Sequence, residues 1–241
     1  MTDSTPIVRQ QLAPGGVLRA AINLSNSLLV SGRDESGWRG IAVDLARLVS
    51  ERLGVGLSIV PYATPSEIAE SAATGAWDIA LVGADPARAR AIAFTAPYSE
   101  ILAGYLVPPH STLRDAKEVD QAGRKVVAYR GSAYGLWLER NLQHAELVHA
   151  ATFDAAFARF RDGGIDALAS LMPKLLDDVQ QWPGSRILDG CFMTVQQAIG
   201  TAKANTEGIE FLKDFVDEVR RTRLVERLIA THQVRGLTAS S

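Results

Sequence analysis

Residues 57–83, LSIVPYATPSEIAESAATGAWDIALVG, carry the alternation of elements that decides the fold. The apolar runs at its two ends, 57–62 and 78–83, have the length and composition of buried strands. Between them stand an N-cap residue, a helix-starting proline and a capping-box glutamate, at Thr64, Pro65 and Glu67. A strand, a helix and a strand in this order predict a parallel pair of strands with the helix packed on it.

The same alternation extends in both directions from this stretch. Upstream, a strand is predicted over 17–23 and a helix over 40–53. A further strand is predicted over 104–107 and ends at Pro108 and Pro109. The alternation then restarts, with elements predicted over 125–129, 132–142, 146–150, 152–161 and 166–172. The sequence therefore predicts an α/β protein of two lobes, each a mostly parallel sheet flanked by helices. Ligands bind at the carboxyl ends of such strands, so we expect a cleft where the strand exits of the lobes meet.

The composition narrows the possible functions. The 241 residues are 47% apolar and 22% charged, enough to bury a core in one large domain or two lobes. With 25 basic and 27 acidic residues, the chain lacks the positive charge that would attract nucleic acid or an acidic membrane. The single cysteine, Cys191, excludes an internal disulfide and a cysteine-based zinc site, and we expect it to be an inert buried thiol. No HExxH, G-x-S-x-G or P-loop motif is present, so neither a metal site nor a catalytic dyad is predicted.

Residues 1–16 are polar and interrupted by prolines and glycines. We expect them to form a flexible leader. They lack the positive segment and apolar core of a secretion signal, and no apolar run is long enough to span a membrane, so direct membrane insertion is not expected.

Six short motifs follow one another along the chain, and each is weak alone. They are WRGIAVDLA at 38–46, GAWDIA at 75–80, Arg88 followed by IAFTAPY at 92–98, VVAYRGS at 126–132, GGIDA at 163–167 and QAIGTAK at 197–203. In this order and spacing they resemble the extracellular solute-binding proteins of family 3, the polar-amino-acid-type receptors of ABC importers. The resemblance runs from about Leu18 to about Ile229.

The resemblance implies a type II periplasmic-binding-protein fold. Lobe 1 would comprise 17–107 and 198–241, lobe 2 would comprise 112–192, and the hinge crossings would lie near 106–111 and 192–197. Such receptors close their lobes around a small solute. The implied partners are a small carboxylate ligand and the subunits of an ABC permease, with a monomeric receptor in the periplasm and no cofactor.

The resemblance also implies which residues bind the ligand. Arg88 stands where the family grips the ligand carboxylate, and a planar guanidinium matches a carboxylate with two parallel hydrogen bonds. As alternatives, Arg88 is a solvated surface charge, or Arg90 takes its place. In the second lobe, Gly131 and Ser132 form the turn that holds the same carboxylate. Ser132 is also the predicted N-cap of a helix whose first N–H groups point at an anion, and a plain helix cap is the alternative.

Four further positions are predicted around that carboxylate. Gly83 would offer a backbone N–H, and Asp85 would orient Arg88 or cap a turn. Asn26 follows the first strand and would contact the ligand, with an ordinary turn as the alternative. Tyr134 would provide an aromatic surface for the ligand, with a core position as the alternative.

One position departs from the family. Amino-acid-binding members carry an Asp five residues after the aspartate of the G-x-x-D-A motif, where it pairs with the ligand ammonium; here that position is Leu171. A buried ammonium without a carboxylate partner is costly. Either Glu100, Asp85 or Asp44 supplies the partner, or the ligand has no ammonium.

Two other functions compete with that of a transport receptor. Relatives on this fold include a cyclohexadienyl dehydratase, a carboxylate-eliminating enzyme that needs a general acid, for which Glu100 is the one carboxylate suggested here. The absence of a secretion signal instead favours a cytoplasmic ligand sensor.

Overall fold

The structure is a computed structural model that describes residues 6–240. The helices are α1 (Pro6–Leu12), α2 (Ile41–Leu53), α3 (Pro65–Glu70), α4 (Ala133–Asn141), α5 (Phe153–Arg161), α6 (Met172–Gln181), α7 (Thr206–Arg221) and α8 (Leu224–Thr231). The strands are β1 (Val17–Asn23), β2 (Gly32–Asp34), β3 (Gly37–Arg39), β4 (Gly56–Tyr62), β5 (Ile79–Gly83), β6 (Ile92–Phe94), β7 (Ser99–Val107), β8 (Lys125–Tyr129), β9 (Glu146–Ala150), β10 (Ala167–Leu171), β11 (Arg186–Ile187), β12 (Met193–Ala202) and β13 (Thr238–Ala239).

The chain divides into two compact units. Unit 1 comprises the residues up to Glu100 and those from Gln196 onward, and unit 2 comprises Ile101–Val195. The first boundary is earlier than the predicted crossing at 106–111. The reason is that β7 continues without a break from Ser99, and its end at 106–107 pairs with β10 and β11 inside unit 2.

The sheet of unit 1 is built on β1. This strand pairs in parallel with β4 on one side and with β5 on the other, and β12 runs antiparallel beside β5. The predicted helix start after β4 is present, because the Thr64 hydroxyl accepts from Glu67 N at 3.2 Å while the Glu67 carboxylate accepts from Thr64 N. One part of the core lies under α3 and includes Ala21, Ile68, Ala72, Trp77, Ala80, Val82 and Ile92.

The sheet of unit 2 repeats the parallel arrangement with different strands. β8 pairs in parallel with β9 and with β10, and β7 runs antiparallel on the far side of β10. Helices α5 and α6 cover one core of this unit, which contains Leu106, Val127, Ala156, Phe157, Phe160, Ile165, Leu168 and Leu175.

In each unit, an aspartate just before one parallel strand bonds the start of the neighbouring strand. Asp78, just before β5, accepts from Arg19 N at 2.8 Å and forms an ion pair with the Arg19 guanidinium at 2.6 Å. Asp166, just before β10, accepts from Lys125 N at 2.8 Å and pairs with Arg124 at 2.8 Å. The aspartates of the two G-x-x-D motifs therefore join neighbouring strand starts, a structural role that the motif alone does not reveal.

The flexible-leader prediction for 1–16 is wrong where the structure describes it, and residues 1–5 lie outside the described part. Residues 6–12 form α1, which packs against α7 with Leu12 fully buried. The Gln11 side chain accepts from Gly208 N at 2.7 Å and so satisfies an amide at the start of α7. Contacts with residues about two hundred positions away hold this helix, and local sequence does not report them.

The prediction of a buried Cys191 is also wrong. The thiol is exposed. It follows Gly190, whose φ of +77° turns the chain just before β12, so the apolar run that suggested a buried strand begins with a loop.

Candidate functional site

The predicted residues of unit 1 collect at one edge of its sheet. Because β1 and β5 are parallel neighbours, their carboxyl ends at Asn23 and Gly83 lie at the same edge. Asn26 follows the first strand, and Asp85 and Arg88 follow the second. This is the edge at which open parallel sheets bind ligands.

Arg88 is a buried arginine whose guanidinium bonds the backbone at the end of β5. It opens a single 3-10 turn, Arg88–Arg90, and is only 5% exposed, whereas Arg90 is exposed. Its Nη1 donates to the carbonyl oxygen of Gly83 at 2.5 Å. A buried guanidinium with a fixed orientation suits the two parallel hydrogen bonds of a carboxylate. The same turn is shaped by Asp85, whose carboxylate accepts from Ala87 N at 2.8 Å.

Asn26 is a turn residue. Its side-chain oxygen accepts from Leu28 N at 3.3 Å, and its carbonyl accepts from Leu29 N and Val30 N at 3.1 and 3.0 Å. These bonds account for the residue as an Asx-type turn after β1.

The predicted residues of unit 2 also stand at the carboxyl end of a parallel strand. β8 ends at Tyr129, and Gly131 then adopts a left-handed conformation with φ of +72° that starts α4. Ser132 is the N-cap of that helix: its hydroxyl accepts from Gly135 N at 2.9 Å and donates to the Tyr129 carbonyl at 2.7 Å. The hydroxyl is thus used by the fold, and the remaining N–H groups of the first turn carry the positive end of the helix dipole.

Two buried hydroxyls lie beside this helix start. Tyr134 is 2% exposed and Ser170 is 2% exposed, and neither hydroxyl has a hydrogen-bond partner within residues 6–240. Burial raises the pKa of Tyr134, and the nearby hydroxyls of Ser170 and Ser132 offset this only in part. Tyr134 is therefore a core aromatic with an unsatisfied donor. Ser170 was not among the predicted site residues, although its position at the end of β10 beside Leu171 was a usable signal.

The carboxyl end of β10 presents no acid. Leu171 is 9% exposed and stands at the N-cap position of α6, where it makes no side-chain capping bond. Of the acids considered for an ammonium, Asp85 lies in the Arg88 turn, Glu100 is half-buried opposite Thr238 on β13, and Asp44 bonds Arg47 and His232 at 2.7 and 2.6 Å.

Other chemistry is sparse in the part of the chain that the structure describes. Residues 6–240 contain no group of three histidine, cysteine, aspartate or glutamate side chains placed to hold a metal ion. No helix among them is both long enough and apolar enough to cross a membrane.

Comparisons with known proteins agree with this architecture. Residues 22–232 match the model of the bacterial extracellular solute-binding proteins, family 3. An ArgBP mutant from T. maritima superposes with a TM-score of 0.73 at 22% identity, covering 93% of this chain and 98% of that one. AbpA from Streptococcus pneumoniae, an amino acid ABC transporter substrate-binding protein bound to L-arginine, gives a TM-score of 0.73 at 21% identity, with 91% and 95% coverage.

A third structure is that of AncCDT-1, an ancestral amino-acid-binding protein and precursor of cyclohexadienyl dehydratase. It gives a TM-score of 0.72 at 19% identity, with 92% and 97% coverage. At these identities the likeness shows the fold, and it confirms the predicted type II periplasmic-binding-protein class. No curated protein matches the sequence significantly.

Proposed function

The chain belongs to the bacterial extracellular solute-binding proteins of family 3, and from this membership we propose that it binds a small carboxylate and delivers it to an ABC permease. The ligand would be an amino acid or a related organic acid. Unit 1 would contribute Arg88 as the anchor, and unit 2 would contribute the turn of Gly131 and Ser132 with the start of α4.

The observation that carries this proposal is the state of Arg88. Arg88 is only 5% exposed, whereas most arginines of folded proteins lie at the surface. Here one donor is fixed by the Gly83 carbonyl at the ligand-binding edge of a parallel sheet. Such a preorganised cation binds a carboxylate with little loss of side-chain entropy.

The other predicted residues would support the anchor or contact the rest of the ligand. Asp85 and Gly83 would position Arg88, and Asn26 would shape the edge after β1. Tyr134 and Ser170 would offer neutral hydroxyl groups to the ligand body. A neutral body fits the apolar Leu171 better than a body with an ammonium does.

A ligand screen tests the proposal. Thermal shift should identify a ligand among L-arginine, other amino acids and their des-amino carboxylates, because a ligand that binds only the folded state raises its stability. Calorimetry on the hit then measures Arg88→Ala, which we expect to weaken binding by about 2–4 kcal/mol, the cost of truncating one partner of a buried charge pair.

Arg90→Ala is the matched control, since Arg90 is two residues away and exposed. It should leave the affinity within about a factor of three. Equal effects of the two substitutions would show that Arg88 is not the anchor.

The transport role and the compartment follow from the family and need their own tests. The family is described as extracellular, so we propose delivery to permease subunits outside the cytoplasm. Growth of a deletion strain on the identified ligand as sole nitrogen or carbon source would test transport. Incubation with prephenate tests the dehydratase alternative, and formation of phenylpyruvate would replace the receptor proposal with an enzymatic one.

A further inference from the structure

A pocket lies within unit 2 and is lined by none of the residues predicted to bind the carboxylate. Its volume is about 320 Å³, and its walls include Tyr105, Trp137, Phe192, Lys117, Asp120 and Cys191. We call it the aromatic pocket. Its volume is at the lower end of the roughly 300–1,000 Å³ of small-molecule sites, so it fits a compact molecule and not a protein segment.

Three rings form a continuous apolar wall of this pocket. The Phe192 ring lies 4.5 Å from that of Tyr105, tilted by 31°, and 5.5 Å from that of Trp137, tilted by 39°. Trp137 and Phe192 are half-buried, so part of each ring is still open to solvent. Partly exposed rings in one row gain most from a flat aromatic molecule that continues the row.

The pocket also holds a polar group that the fold leaves unused. Tyr105 is 2% exposed, yet its hydroxyl makes no hydrogen bond within residues 6–240. Burial, and then the nearby Asp120 carboxylate, raise the pKa of Tyr105, so the group stays a neutral donor. The hydroxyl oxygen is not fully closed off from solvent, so it can exchange a bond to water for a bond to a ligand oxygen.

The pocket is lined by one acidic and one basic side chain, Asp120 and Lys117, whose opposite charges favour a ligand without net charge. Asp120 accepts three backbone N–H bonds, from Gln143, His144 and Ala145 at 2.9, 2.8 and 2.8 Å. Burial acts to raise the pKa of Asp120, but these three bonds outweigh it and hold the pKa below its usual value. The Asp120 carboxylate is therefore already hydrogen-bonded within the protein. The Lys117 ammonium, in contrast, has no ion pair in the described part of the chain.

We propose that the aromatic pocket is a second binding site for a small planar aromatic molecule that carries a hydroxyl group. The ring system packs on Trp137 and Phe192, and its polar group accepts from the Tyr105 hydroxyl. Nothing in this assignment depends on the carboxylate site.

Cys191 provides the test, because it is the one cysteine of the chain, is exposed and lines the pocket. The full-length protein is reacted with N-ethylmaleimide with and without naphthol, and the modified fraction is followed by mass spectrometry. Naphthol at ten times its dissociation constant should slow labelling roughly tenfold, because only the unoccupied fraction reacts.

Variants identify where naphthol binds. Trp137→Ala should abolish the protection, and Tyr105→Phe, which keeps the ring and the packing, should weaken naphthol binding about threefold to tenfold through the lost hydrogen bond. Trp38→Ala is the control, since Trp38 is also half-buried but lies on β3 of unit 1. Arg88→Ala should likewise leave protection unchanged.

Three results would overturn the assignment. One is a labelling rate that naphthol does not change up to its solubility limit. Another is equal protection in the wild type and in both Trp137→Ala and Tyr105→Phe. The third is loss of protection in Arg88→Ala, which would place naphthol at the carboxylate site. If Trp137→Ala does not fold, Tyr105→Phe decides the question alone.

Discussion

At the scale of single residues, we propose that Leu171 determines which class of ligand binds. It is 9% exposed and occupies the N-cap position of α6 without a capping bond. Leu171→Asp should be tolerated, since Asp is a favoured N-cap residue. We expect it to raise the affinity for an α-amino acid relative to its des-amino analogue by about tenfold or more, roughly 1.4 kcal/mol. Calorimetry with L-phenylalanine and phenylpropionate measures this ratio.

Leu176→Asp is the matched control, because Leu176 lies on the same helix and is 53% exposed. It should leave the ratio unchanged. An unchanged ratio in Leu171→Asp as well would remove this residue from the ligand site.

Asp178 gives a prediction about pH and stability. Its side chain is 1% exposed and bonds Lys174 at 2.7 Å. Burial raises the pKa of Asp178 more than the neighbouring Lys174 lowers it. The folded state therefore holds a proton more tightly than the unfolded state, and this group's contribution to the unfolding free energy is lost as pH rises through the raised pKa.

Lys174→Met removes the cation that lowers the pKa of Asp178, so the unfolding free energy should depend more strongly on pH. We expect a cost of about 3 kcal/mol near pH 8 that becomes smaller as the pH falls toward the raised pKa of Asp178, because a protonated carboxyl no longer needs the cation. Asp178→Asn, a neutral isostere, should cost under about 1 kcal/mol at either pH. Urea unfolding at the two pH values measures all three proteins, and a pH-independent cost in Lys174→Met would contradict the assignment.

At the scale of elements, α1 is held in place by its contacts with α7. Leu12 is fully buried against α7, and a Cβ added to Gly208 would come within 2.8 Å of its Cδ2. Leu12→Ala should lower the unfolding free energy by about 2–4 kcal/mol, as for other large-to-small core substitutions. Ile7→Ala on the same helix, at a position 54% exposed, should cost under about 0.5 kcal/mol.

Urea unfolding monitored by circular dichroism compares these two variants. A cost for Leu12→Ala as small as that for Ile7→Ala would mean that α1 contributes nothing to the stability of unit 1.

The contrast between α3 and α1 explains how far the sequence could predict the fold. The start of α3 depends on Thr64 and Glu67, three residues apart, so local pattern was sufficient. α1 depends on Gly208, and its sequence contains no sign of that partner. The strands β7 and β12 were shortened or missed for the same reason, since their pairing is long-range.

The candidate site divides in the same way. The sequence could place Arg88, Ser132 and Leu171 near strand ends because they stand at fixed distances from recognisable motifs, while their part in ligand binding stays a prediction. The aromatic pocket could not be, because Tyr105, Trp137 and Phe192 come from three separate parts of the chain. Cys191 was misjudged because an apolar neighbour suggests burial, whereas a left-handed Gly190 before it turns the chain outward.

At the scale of the whole molecule, the proposed function requires a ligand that contacts both units. Unit 1 would contact it through the turn of 84–91 and unit 2 through 130–136, so each segment should lose flexibility when the ligand binds. Amides in these segments exchange through local opening, and a ligand that binds only the closed form raises the free energy of that opening. At one hundred times the dissociation constant the gain is about 2.7 kcal/mol, enough to slow amide exchange roughly a hundredfold.

Hydrogen exchange followed by mass spectrometry measures both segments in one sample. We expect protection in 84–91 and in 130–136 with the same dependence on ligand concentration, because one binding event orders both. In Arg88→Ala both should lose protection together, although the substitution lies in only one unit. Protection confined to a single unit, or two different concentration dependences, would show that the units bind independently and would contradict the receptor mechanism in which both hold one ligand.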